Sequence, residues 1–179
     1  MTENFKASEF DTYSNWDTSQ TGTERIRSTY QRPEQLSTNT PMTREDARNL
    51  TATLEQNVIA PARENPDIQF YCFFTPYSIF YMDEQNRYGT LQLQFEGCLL
   101  ATMLLLEYEN IHLYSFFTDC ETILDPNCYT HIAHYDAEVN SLLQRMAAGE
   151  YLLTKDNYQA HRQEVTEYYS AFDYDALFA

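Results

Sequence analysis

Two short apolar runs, "IQFYCFF" at 68–74 and "NIHLYSFF" at 110–117, flank a segment with helical periodicity. Runs of this length, rich in aromatics and without polar alternation, are the pattern of strands buried on both faces. Strand, helix-length crossover and strand make a right-handed βαβ unit with parallel strands. A parallel sheet needs cover on both faces and ordinarily has about four to six strands. The chain supplies helices for such a sheet but only these two clear strands. The expectation is an α/β fold with an incomplete sheet. A further strand then comes from residues 1–42, from a partner chain, or from the other half of a larger domain.

The helices are read from caps and spacing. Thr43 stands as N-cap of "TREDARNLTATLEQNVIAPAREN" with Asp46 at the capping-box position. Ala47, Leu50, Leu54 and Val58 form its apolar face, Pro61 kinks or tightens its last turn and Asn65-Pro66 ends it. "TLQLQFEGCLLATMLLLEYEN" is the crossover helix, with Leu91, Phe95, Cys98, Leu99, Thr102, Leu105 and Leu106 on a broad apolar face. "YMDEQNRYG" and "TDCETILDPNCYT" read as loops. A helix is predicted over 133–148, with Val139, Leu142, Leu143 and Met146 inward and Gly149 as its stop, and another from about Thr154 to Phe172. Residues 1–42 read as an irregular arm that docks by its aromatic side chains, and 43–179 as the α/β unit.

With 179 residues, 43% of them hydrophobic, one packed domain is expected, and 15 Tyr and 11 Phe make its core aromatic. The net charge of −16 repels nucleic acid and anionic lipid, so neither is expected as a partner. No membrane span or signal peptide is read, and "LLATMLLLEY" is too short to cross a bilayer. The four cysteines form no C-x-x-C pair. Cys72 and Cys98 read as buried thiols. Cys120 and Cys128 flank a loop and could pair only in an oxidising compartment.

Ligands of parallel sheets bind beyond the C-terminal ends of the strands. Two segments leave those ends. One is Thr75-Pro76-Tyr77-Ser78; the other is the stretch 118–130, which runs into His131 and His134. The histidine pair has three readings. As metal ligands they lack a third partner, for His112 lies mid-strand, His161 lies in the last helix, and no HExxH occurs. In a nucleophile–base–acid set His134 is the base, Ser78 the one serine at the other strand's end, and Asp119, Asp125 or Asp136 the acid, without a G-x-S-x-G block. The third reading is a helix start with two solvated histidines. No metal or cofactor is expected; the glycines at 22, 89, 97 and 149 form no phosphate-cradling loop.

The segments "FDTYSNWDTS", "FYCFFTPYSIFY", "NIHLYSFFTDCETI", "HYDAEVNSLL" and "GEYLLTKDNY" resemble the C-terminal half of an uncharacterised bacterial group of SGNH/GDSL-type hydrolase-like proteins. The resemblance implies a three-layer α/β/α, flavodoxin-like fold and ester or acyl hydrolysis, with a small ester or an acylated glycan as substrate. The family's late D-x-x-H block corresponds to "HIAH", which gives His134 the base position and leaves His131 where the family has aspartate. Thr75, Tyr77 and Ser78 fall at the substrate side. The family's serine block and central strands have no counterpart between Met1 and Phe10, so a truncated form with impaired or absent activity is expected. The family is commonly anchored outside the membrane, which leaves the localisation of this chain open. The competing expectation is a non-catalytic binding or interaction remnant that completes its sheet as a homodimer.

Overall fold

The computed structural model describes residues 21–136 and 142–178. The fold is mixed α/β. Its helices outweigh a parallel sheet of two strands and a separate antiparallel pair.

The described chain begins with α1 (Thr23–Thr29), inside what the sequence suggests is an irregular arm. Tyr30 and Arg32 then dock on Asp83. The Tyr30 hydroxyl donates to Asp83 Oδ2 at 2.9 Å, and Arg32 binds both carboxylate oxygens at 2.8 and 2.9 Å. The arm is thus held partly by an aromatic side chain, as expected, and partly by a buried ion pair. The arm aromatics Phe5, Phe10, Tyr13 and Trp16 lie outside the described residues, as does any strand within 1–20.

The Thr43 capping box is present in both directions, Asp46 N–H to Thr43 Oγ1 at 3.1 Å and Thr43 N–H to Asp46 Oδ2 at 2.9 Å. The helix it opens runs as α2 (Arg44–Leu54), a π turn (Glu55–Ile59) and α3 (Ala60–Glu64). Pro61 accounts for the wide turn. It has no N–H to give and its ring would press on the carbonyl four residues back. Ala60 N–H instead reaches the Glu55 carbonyl.

β1 (Phe70–Phe74) and β2 (Ile111–Ser115) pair in parallel, Phe70 opposite Ile111 and Phe74 opposite Ser115. Between them lies one helix more than expected. The polar stretch after Ser78 is α4 (Ile79–Tyr88), followed by α5 (Leu91–Leu105). Asp83 looks like a loop residue in the sequence, yet on α4 it is fully buried and neutralised by Arg32. Gly89 ends α4 at φ 72°, and a Cβ there would run into the Thr38 carbonyl, so the position requires glycine.

The far edge of β2 is covered by residues 151–153. Leu153 N–H donates to the Leu113 carbonyl at 2.8 Å and Ser115 N–H to the Tyr151 carbonyl at 3.0 Å. β2 is therefore internal and β1 is the edge. Among the described residues β1 pairs with β2 and with no other strand. On one face Ile59, Ala62, Leu105, Ile111, Leu113 and Leu153 form a core; on the other, Tyr114 and Phe116 pack with Leu142 and Met146. Ile68, Tyr71 and Phe73 remain more than a third exposed.

The stretch after β2 departs most from expectation. Residues 118–130 hold α6 (Cys120–Ile123) and a 3-10 turn rather than a plain loop. The helix predicted over 133–148 does not start at Ala133; its described part begins at Leu142, and residues 137–141 lie outside the described residues. β3 (Tyr129–His131) and β4 (His134–Tyr135) form a hairpin turning at Ile132-Ala133, and α7 is described over Leu142–Ala147. Leu142 and Met146 are inward as expected, while Val139 and the Leu143 side chain fall outside the description. Gly149 follows at φ 81°, in the expected role of stop. α8 (Tyr158–Ala171) and a short 3-10 turn (Tyr174–Phe178) complete the chain. All four cysteines are free thiols, Cys120 and Cys128 included.

Candidate functional site

The hairpin docks on the loop after β1, so the two strand-end segments singled out in the sequence do meet. Tyr129 hydroxyl donates to the Pro76 carbonyl at 2.6 Å. Ser78 Oγ donates to the Ile132 carbonyl at 2.5 Å, and Ser78 N–H reaches the same oxygen at 3.3 Å. Thr75 hydrogen-bonds the Tyr135 hydroxyl. Tyr77 stacks on Tyr81 with ring centroids 4.2 Å apart.

These contacts define what Ser78 does. Its oxygen also accepts the Tyr81 N–H at 3.2 Å as N-cap of α4, and the residue is fully buried. The hydroxyl proton points at a backbone carbonyl, so no histidine stands ready to take it. Ser78 is a structural clamp between α4 and the hairpin turn rather than a nucleophile in waiting.

His131 and His134 face each other across the hairpin, a cross-strand pair with ring centroids 5.6 Å apart. This hairpin placement corrects the reading of a helix start. His131 Nδ1 accepts the Ala133 N–H at 3.5 Å, which leaves the proton on Nε2. Burial, then the neighbouring His134 and Arg25, lower the pKa of His131, so it is a neutral imidazole at pH 7. Two of the three candidate acids are engaged elsewhere. Asp119 is buried in an ion pair with Arg145 at 2.5 Å and accepts the Thr122 hydroxyl. Asp125 caps the 3-10 turn through Asn127 N–H at 2.9 Å. Asp136 sits at the hairpin's end, its N–H on the Cys128 carbonyl. No group of three metal-ligating side chains occurs among the described residues.

A different serine–histidine pair is present. Ser115 ends β2, the C-terminal tip of a parallel strand, and is buried. His161 Nε2 lies 2.8 Å from its Oγ. Burial lowers the His161 pKa against a weaker opposite pull from Glu164. The pair lines a cavity between α5 and α8 together with Phe95, Phe117, Leu153 and Val165. The sequence carried a signal for it. Tyr158, His161, Val165, Tyr169 and Phe172 recur at helical spacing, which puts His161 on the buried stripe of α8.

Compared with known proteins, the chain matches no family model, no curated protein and no solved structure.

Proposed function

We propose that this chain is a hydrolase-like α/β framework of the SGNH three-layer type, without esterase activity of its own, that acts as an interaction module and completes its sheet by pairing with a second copy. The observation that carries the reading is the β1 edge. A sheet of two strands is small for its number of helices, and its outer strand is uncharged and aromatic. Residues 68–82 contain no charged side chain in a chain of net charge −16, so this strip is where two copies approach with least repulsion.

The geometry of such a pair is defined. The register turns the Phe70, Cys72 and Phe74 amides toward β2 and the Phe73 amide outward. Antiparallel β1–β1 pairing centred on the strand's middle residue sets Cys72 opposite Cys72 in a non-hydrogen-bonded position. Cα separations there are about 4.5 Å, within disulfide reach. Copper–phenanthroline oxidation of the intact protein is expected to give a covalent dimer that Cys72→Ser abolishes. A dimer linked through another cysteine, or none at all, speaks against this pairing.

Ester hydrolysis with His134 as base, His131 in the aspartate position and Thr75 and Tyr77 beside the substrate is the second reading. The docking of the hairpin on residues 75–78 favours it. Turnover of p-nitrophenyl acetate by wild type but not by His134→Ala would establish it in place of the first. Equal background rates in both are expected.

A further inference from the structure

We infer that the cleft between α5 and α8 binds a short-chain monocarboxylate, with the alkyl end inside and the carboxylate on Arg162. The inner cavity measures about 30 Å³. That is room for about two water-sized groups, or an alkyl stub of about two or three carbons. Its walls are apolar, with Phe95, Phe117, Leu153 and Val165 among them. The Ser115–His161 pair is satisfied internally at 2.8 Å, and burial keeps His161 neutral. The interior therefore offers a hydrophobic pocket without a charge to pair.

The charge stands at the mouth. An open groove on the same two helices shares Leu99, Tyr158, Arg162 and Thr166 with the cavity, so Arg162 lines both. The partly buried arginines Arg32, Arg87 and Arg145 each meet a carboxylate. Arg162, exposed on α8, has no carboxylate partner among the described residues. Glu167 also lines the groove; its carboxylate accepts the Gln163 amide at 2.7 Å, keeps its charge and weakens the hold on an anion there. An unpaired guanidinium above a narrow apolar chamber suits one anionic head on a short tail. The strongly acidic chain works against any anion, so millimolar affinity is expected.

The test is an amide NMR titration of the intact protein with sodium acetate, propionate, butyrate and octanoate, with sodium chloride as control. Propionate and butyrate should give saturating shifts at Thr102, Leu153 and His161. Acetate should bind several-fold more weakly for lack of a tail, and octanoate no more tightly than butyrate, because its chain outgrows the chamber. Arg162→Gln, at an exposed position that leaves the core intact, should raise the butyrate Kd about tenfold. Shifts that never saturate, that fall outside the cleft, or that Arg162→Gln leaves unchanged overturn the assignment.

Discussion

Asp83 shows how a single side chain organises distant parts of the chain. It is fully buried on α4, yet Arg32 from the arm binds it bidentately and Tyr30 donates to it. Removing one partner of a buried pair strands the other charge, so Arg32→Leu, which strips the fully buried Asp83 carboxylate of its bidentate partner, should cost about 3 kcal/mol in urea denaturation. Gly89→Ala acts through backbone strain and a clash with the Thr38 carbonyl; the expected loss is about 1–3 kcal/mol, read the same way. Ser78→Ala removes a cap and a buried hydrogen bond and should cost about 1–3 kcal/mol without altering any esterase rate. His161 makes a pH prediction. Its folded pKa is depressed by burial, so the unfolded chain takes up the proton first. Stability tied to His161 is full above the ordinary histidine pKa of about 6.5 and is lost as pH falls below it. In urea midpoints between neutral and mildly acidic pH, His161→Gln should show a shallower decline than wild type. An identical slope would remove His161 as the cause.

At the scale of elements, what could be read from sequence follows how local each signal is. Thr43 and Asp46 announced the start of α2 because the capping box lies within four residues. The two aromatic runs announced β1 and β2, and the apolar stripe announced α5. α4 was missed because its polar residues imitate a loop, and the burial of Asp83 depends on Arg32, 51 positions away. The hairpin was missed because its turn, Ile132-Ala133, contains no Gly, Asn or Asp. Its apolar pattern passed for the first turn of a helix. That residues 75–78 and the segment leading into His131 share one edge of the sheet was anticipated from parallel-sheet topology, whereas the hairpin contact itself and the role of Ser78 in it were not. The Ser115–His161 contact spans 46 residues and joins a strand to a helix, so only half of it, the position of His161 on a buried stripe, was visible beforehand.

For the whole molecule, the sheet sets how two copies would meet. Described residues provide helices to cover a larger sheet, an internal strand β2, and an edge strand β1 whose Tyr71 and Phe73 are exposed. The acidic remainder keeps copies apart except along the uncharged strip that contains this edge. Dimerisation should therefore strengthen with added salt, as screening relieves repulsion between the acidic surfaces while the apolar contact persists. The direct measurement is sedimentation velocity across a protein concentration series, wild type against Phe73→Lys, which puts a charge on the exposed face of the edge strand β1. A concentration-dependent dimer is expected for wild type and a monomer for Phe73→Lys. A wild-type protein that stays strictly monomeric at about 100 μM, weak even for a transient interface, would contradict it.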